Sequence, residues 1–204
     1  LLAPLFIIMS FSFGLAIFVL VLMSACRWSG RALGDAVLNR LGKLLGVFVA
    51  AVLYFVVVHH LTNLYIARQH DLERFILLNG GVYTALFWFG QVLIGGVVPL
   101  ALLFGTPSRR AFAAAAVCVI LGGLAQIYVL IIGGQAYPQL MFPEQEVASS
   151  FFDGVVAAYA PSMPEVALGV GGVALALALT AVALKVLPFL PQSLADSDVR
   201  SATS

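Results

Sequence analysis

From Phe75 to Ser108 the chain carries no ionised side chain, and that scarcity of charge runs through the whole sequence. Charged residues make up 9% of the 204 positions and hydrophobic ones 62%, with a mean hydropathy of +1.09. Soluble domains carry about a quarter charged residues, so this much apolar surface excludes a water-soluble fold. Ten Lys and Arg against nine Asp and Glu leave a net charge of +1, which argues against nucleic acid as a partner. Cysteine is scarce as well. Cys26 and Cys118 form no CxxC and have no histidine at ligand spacing, so neither a zinc site nor a disulfide framework is indicated. The only histidines, His59, His60 and His70, fall in one predicted helix and the loop after it. A haem held by two imidazoles needs them on facing helices, so this chain alone is expected to bind none. The chain starts Leu1-Leu2-Ala3-Pro4, without the basic start and small-residue cleavage site of a signal peptide. The expectation is that further residues precede it in a longer protein.

What the sequence does have is five apolar runs. A membrane-spanning helix needs about 20 such residues, and the runs at about 5–25, 44–65, 76–104, 111–132 and 166–187 each qualify. The expected fold is therefore all-α, a multi-pass transmembrane bundle over residues 1–190 with a cytoplasmic tail over 191–204, polar and mobile from Asp196 to Ser204. Pro99 is expected to kink the third helix. Gly42-x-x-x-Gly46, Gly95-Gly96, Gly122-Gly123 and Gly169-x-Gly171-Gly172 are expected to mark faces of close helix approach.

The loops set the orientation. Arg27, Arg31, Arg40 and Lys43, then Arg109 and Arg110, then Lys185 and Arg200 all fall on one side, and only Arg68 and Arg74 fall on the other. The excess of basic residues on cytoplasmic loops places the first side, including the C-terminus, in the cytoplasm. The first loop is expected to hold a surface helix with Leu33, Val37, Leu38 and Leu41 facing lipid. The aromatic, acidic segment of about 133–164 is expected to fold over the outer helix ends, with a short interfacial helix near 147–159.

Polar residues inside a membrane are where function is sought. His59 and Asn63 are four apart on one helix face, with His60 about 100° away. Tyr54 and Tyr65 share a stripe, and the next loop adds Arg68, His70, Asp71, Glu73 and Arg74. Imidazoles, a phenol and carboxylates at the water boundary suit a quinone site, where they hydrogen-bond the carbonyl oxygens and carry protons away. The alternative is a pair of interfacial histidines reaching for headgroups beside a solvated turn. Gln91, on a face with Thr84 and Phe87, and Gln126, near Tyr128, read either as glue between helices or as lining of a hydrated path. Glu165, just after Pro164, reads as a helix cap or as an acidic relay.

Several runs together resemble a known family. His60-Leu61-x-x-Leu64-Tyr65, then Glu73, then Leu78-x-Gly80-Gly81-x-Tyr83-x-x-x-Phe87-Trp88, with Gly95-x-x-x-Pro99 and Leu102-Leu103, resemble the second half of polysulfide reductase membrane subunits, the NrfD-like proteins. Ala3-Pro4-Leu5-Phe6 with Ser10 and Gly14-x-Ala16, and Tyr159-x-Pro161-Ser162-x-x-Glu165 with Lys185-x-Leu187-Pro188, agree with this resemblance. It implies the last five of eight helices in a subunit of the bacterial cytoplasmic membrane. Such a subunit holds no haem or metal and has no catalytic residue of its own. It exchanges electrons between menaquinone or ubiquinone and an iron–sulfur subunit docked on the outer face, which serves a catalytic or cytochrome subunit. The residues expected to meet quinone are His59, His60, Asn63, Tyr65, Arg68, Glu73 and Tyr83. The resemblance further implies coupling of quinol oxidation to proton movement, and Gln91, Gln126 and Glu165 would line that path. The rival readings are half of a transporter or channel, which would need charged or broken midplane helices, and a purely structural membrane anchor.

Overall fold

The structure is a computed structural model and describes residues 2–105, 108–138, 155–157, 159–187, 191 and 193–197. Five helices are long and apolar enough to cross a membrane: α1 (Leu2–Ser29), α2 (Asp35–Tyr65), α4 (Val82–Gly105), α5 (Arg109–Ala136) and α6 (Met163–Val186). The short α3 (His70–Arg74) lies between α2 and α4. The expected all-helical, multi-pass membrane fold is what the chain adopts, and no named strand occurs among the described residues. A hydrogen-bonded helix is also the physical requirement here, because lipid offers no partner to a bare backbone N–H or carbonyl.

Four of the five spans pack together. Toward the basic end, Ala16, Leu22, Leu38, Leu45, Val49, Leu103, Phe112, Ala115, Ala116 and Val119 form one buried cluster from α1, α2, α4 and α5. Toward the other end, Leu5, Met9, Val52, Val56, Ile76, Phe87 and Val129 form a second. Apolar burial gains little over lipid, so close fit decides which faces meet. The tightest approach is between α4 and α5: a Cβ added at Gly95 would stand 2.8 Å from the Cα of Gly122. The expected Gly42/Gly46 face is a real packing face as well. Gly42 lies under the Phe112 ring, and a Cβ at Gly46 would come within 2.7 Å of the Phe104 ring.

Glycine 169, 171 and 172 behave otherwise. Nothing lies within 4 Å of a Cβ built at any of them, and α6 has no buried residue. The expectation of a close-packed face on this last helix is therefore corrected for the described residues. Its backbone hydrogen bonds are satisfied internally, so it needs no buried face among the described residues to hold its shape.

Helix α4 departs from ideal geometry where proline predicts trouble. Leu86–Val97 runs in the wider π register, and the Val98 N–H bonds back to the Leu93 carbonyl. Pro99 follows directly and has no N–H to give, which is the usual setting for a shifted register. The span also begins later than expected. Phe75–Asn79 is a separate π turn continuing from α3, and the chain reverses at Gly80-Gly81. Gly81 has φ +56°, a region that favours glycine.

At the basic end the surface helix expected in the first loop is absent. Asp35 is already the first residue of α2, and Leu33 and Leu38 are buried in the core rather than turned to lipid. The apolar period simply continues into the span, so no separate element forms. Helix α1 closes with Gly30 at φ +65° and the Arg31 N–H on the Cys26 carbonyl at 3.0 Å, the geometry of a glycine-stopped helix.

The tail is tied down over its described part, at Asp196 against the expectation of mobility there. Leu194 exchanges hydrogen bonds with Ala32 and Gly34 at 2.9 and 2.7 Å, and the Asp196 carboxylate accepts from the Ala36 N–H at 2.9 Å. Asp196 thereby caps α2 from far along the chain. Arg109 donates to Asp35 at 2.9 Å and to the Leu33 carbonyl, joining the start of α5 to the same corner. The interfacial helix expected near 147–159 falls mainly outside the described residues. Of that segment, Ala157 donates to the Ala136 carbonyl at 2.9 Å, at the end of α5.

Candidate functional site

The last two turns of α2 place His60 inward, one turn beyond the buried Val56. Past Tyr65 the chain bends through a single 3₁₀ turn, Ala67–Gln69, and α3 folds back over the end of α2. This return brings Glu73 against His60. The His60 Nδ1 and Glu73 Oε2 lie 2.6 Å apart, and the two residues are 8% and 1% exposed. Asn63 Nδ2 donates to Glu73 Oε1 at 2.7 Å and lies 3.3 Å from His59 Nε2.

Chemistry fixes who donates. A carboxylate only accepts, so Nδ1 of His60 carries the proton of this contact, and in the neutral ring Nε2 is the acceptor. The Asn63 amide gives one hydrogen to Glu73 and the other to His59 Nε2. His59 therefore carries its own proton on Nδ1. With both rings neutral, a base lone pair on His60 and an N–H donor on His59 stand side by side, ring centroids 5.4 Å apart.

Burial pushes the Glu73 carboxyl up, but the hydrogen bonds from His60 and Asn63 and the nearby imidazoles outweigh it and hold the group below its ordinary value. An ionised, buried carboxylate is tolerated only with such partners. Phe87 of α4 closes the inner side, its ring edge-on to His60 at 4.8 Å. In the sequence Phe87 stands out only as part of a motif, because an aromatic in an apolar run gives little other signal.

Of the residues expected to meet quinone, the fold gathers His59, His60, Asn63 and Glu73. Tyr65 is 91% exposed and Arg68 is exposed as well. Tyr83 is buried but belongs to a neighbouring aromatic group, 5.7 Å from Phe75 and 6.0 Å from Tyr128 between ring centroids. Glu165 takes the capping role. It accepts from the Ser162 N–H at 2.7 Å and from the Tyr159 hydroxyl at 3.1 Å, and that bond raises the Tyr159 phenol above its ordinary range. Gln91 and Gln126 are both buried, on α4 and α5, and line one cavity with Ser12. Ser12 has no distinguishing pattern in the sequence, where it is a lone hydroxyl in an apolar helix. Among the described residues no group of three or more His, Cys, Asp and Glu could hold a metal ion.

A bundle of five long apolar helices, with imidazole, amide and carboxylate joined near the end of α2, defines a multi-pass integral membrane protein. The chain belongs to the polysulphide reductase NrfD family, whose model matches residues 1–139. It is similar to the Hdr-like menaquinol oxidoreductase integral membrane subunit of Archaeoglobus fulgidus, 25% identical over 93% of this chain and 49% of that protein. It is also similar to a selenate reductase subunit of Mesobacillus selenatarsenatis, 24% identical over 76% of this chain and 36% of that protein. The chain thus spans half or less of the length of these relatives. No solved structure matches it.

Proposed function

We propose that this chain is part of the quinol-interacting membrane subunit of an oxidoreductase, and that quinol reacts beside His59 and His60. The observation that carries this is the Glu73–His60 pair with Asn63 bridging to His59. Oxidising a quinol releases two electrons and two protons. A base must stand at the hydroxyl as the electrons leave, and imidazole is the side chain whose charge changes near neutral pH. Glu73 holds His60 in the tautomer that leaves Nε2 free to take that proton, and then balances the imidazolium. The second proton follows by the same base once the first has passed to water beyond α3. The His59 N–H is the complementary donor to a quinone oxygen.

The electrons leave to an iron–sulfur centre in a docked partner subunit, which passes them to a catalytic or cytochrome subunit. Support for such partners is the name of the archaeal relative, a menaquinol oxidoreductase membrane subunit, and the quinone is menaquinone in this reading. The distribution of basic residues supports a cytoplasmic C-terminus and a site on the opposite face of a cytoplasmic membrane. Gln91 and Gln126 would line a polar stretch below the site, and Glu165, which also caps α6, would belong to the same path.

The test is quinol-driven reduction of the purified complex. His60→Ala should lower the rate by about 100-fold or more, the usual loss for a general base, and Glu73→Gln should lower it by about tenfold or more. If His59→Ala, His60→Ala and Glu73→Gln all leave the rate unchanged, the site assignment is wrong.

A further inference from the structure

Midway along the bundle, three polar side chains interrupt the apolar packing: Ser12 on α1, Gln91 on α4 and Gln126 on α5. They are 1%, 5% and 2% exposed. All three line a single cavity of about 10 Å³, whose remaining wall includes Val52, Val56 and Val119 together with Gly95, Gly122 and Gly123. The amide Nε2 of Gln126 is buried and has no hydrogen-bond partner among the described residues.

Leaving an amide N–H unpaired in such surroundings costs about 1–3 kcal/mol, and lipid cannot supply the missing acceptor. The cavity has about the room that one water centre requires. A buried water also needs two to four polar partners. Here the Gln126 amide donates, while the Gln91 amide and the Ser12 hydroxyl can each donate or accept. Glycine at 95 and 122 brings the backbones of α4 and α5 together beside the cavity.

We propose that this cavity is a binding site for one internal water molecule, held in the middle of the bundle by Gln126, Gln91 and Ser12. The water accepts from Gln126 Nε2 and donates to the oxygen of Gln91 or Ser12. It joins three helices by hydrogen bonds at a depth where direct polar contacts are few. Its place relative to the outer site follows from α2: Val56 lines the cavity and His60 comes four residues later, a rise of about 6 Å. The water site stands on its own geometry, whether or not quinol reacts at His60.

The test uses the intact complex in lipid nanodiscs. A cryo-EM map that resolves waters should show one density within about 3.2 Å of Gln126 Nε2 and of Gln91 or Ser12. Infrared spectra in D₂¹⁶O and D₂¹⁸O should show an isotope-shifted O–D band that is lost in Gln126→Leu. Should that variant fail to assemble, Gln91→Leu should weaken or shift the same band. A dry cavity in the unaltered protein, with Gln126 bonded directly to Gln91, would overturn the proposal. So would the absence of an isotope-shifted band that depends on either glutamine.

Discussion

His60 Nδ1 and Glu73 Oε2 stand 2.6 Å apart although thirteen positions separate them in sequence, and both residues are almost wholly buried. The contact exists because α3 folds back onto the end of α2, so one hydrogen bond reports both the tertiary turn and the electrostatics of the site. Asn63 occupies the second carboxylate oxygen, which leaves Glu73 engaged at both.

Stability should depend on pH through this carboxylate. Its folded-state value lies below the ordinary 4.5, so the folded form is favoured by ionisation. That contribution is complete above about pH 4.5 and is lost as pH falls through the lower folded value. Thermal melting of the detergent-solubilised protein should show a midpoint that drops on acidification below this range, and Glu73→Gln should flatten the drop. Equal acid sensitivity in the variant would contradict the account.

Glu73→Ala should destabilise more than Glu73→Gln at neutral pH. The alanine leaves the buried His60 N–H without its acceptor, at a cost of about 1–3 kcal/mol before relaxation, and the half-buried Asn63 amide loses one as well. The glutamine keeps an acceptor oxygen for one of them. Melting midpoints of the two variants measured side by side decide this.

Much of the fold was legible because a bilayer imposes a length on every crossing. The five spans, their order and the polar loops follow from where charge is missing. What was not legible came from contacts between distant positions. Leu33 and Leu38 looked lipid-facing because the α2 period starts earlier than the loop residues suggest. Asp196 capping Ala36 has no local signal at all, and neither has the lack of a buried residue on α6 among the described residues. At the site, helical spacing placed His59 and Asn63 together, but the carboxylate that organises them arrives through a turn at Ile66–Gln69 that no periodicity announces. Tyr65 fell on the expected stripe and still points outward.

The α4–α5 contact should be sensitive to a single methyl. A Cβ at Gly122 would run into the Gly95 backbone, which has no flexible end to give way. Gly122→Ala should therefore lower stability by about 1–3 kcal/mol, whereas Gly169→Ala, with nothing within 4 Å, should be close to neutral. Chemical unfolding in mixed micelles compares the two.

The tail contact makes a further distinction. Asp196→Ala removes the acceptor for the Ala36 N–H and should cost about 1 kcal/mol. Asp35→Asn weakens an exposed ion pair with Arg109 and should cost less than that. Protease sensitivity of the first loop, read as a cleavage rate, should rise for the first variant and change little for the second.

The central claim is that quinone meets this chain at the outer end of α2. A photoactivatable azido-menaquinone added to the complex, followed by peptide mapping, tests it most directly. Cross-links should concentrate between Tyr54 and Glu73, fall when unlabelled menaquinol competes, and fall again in His60→Ala. Cross-links confined to other polypeptides of the complex, or undiminished by the competitor, would contradict the account.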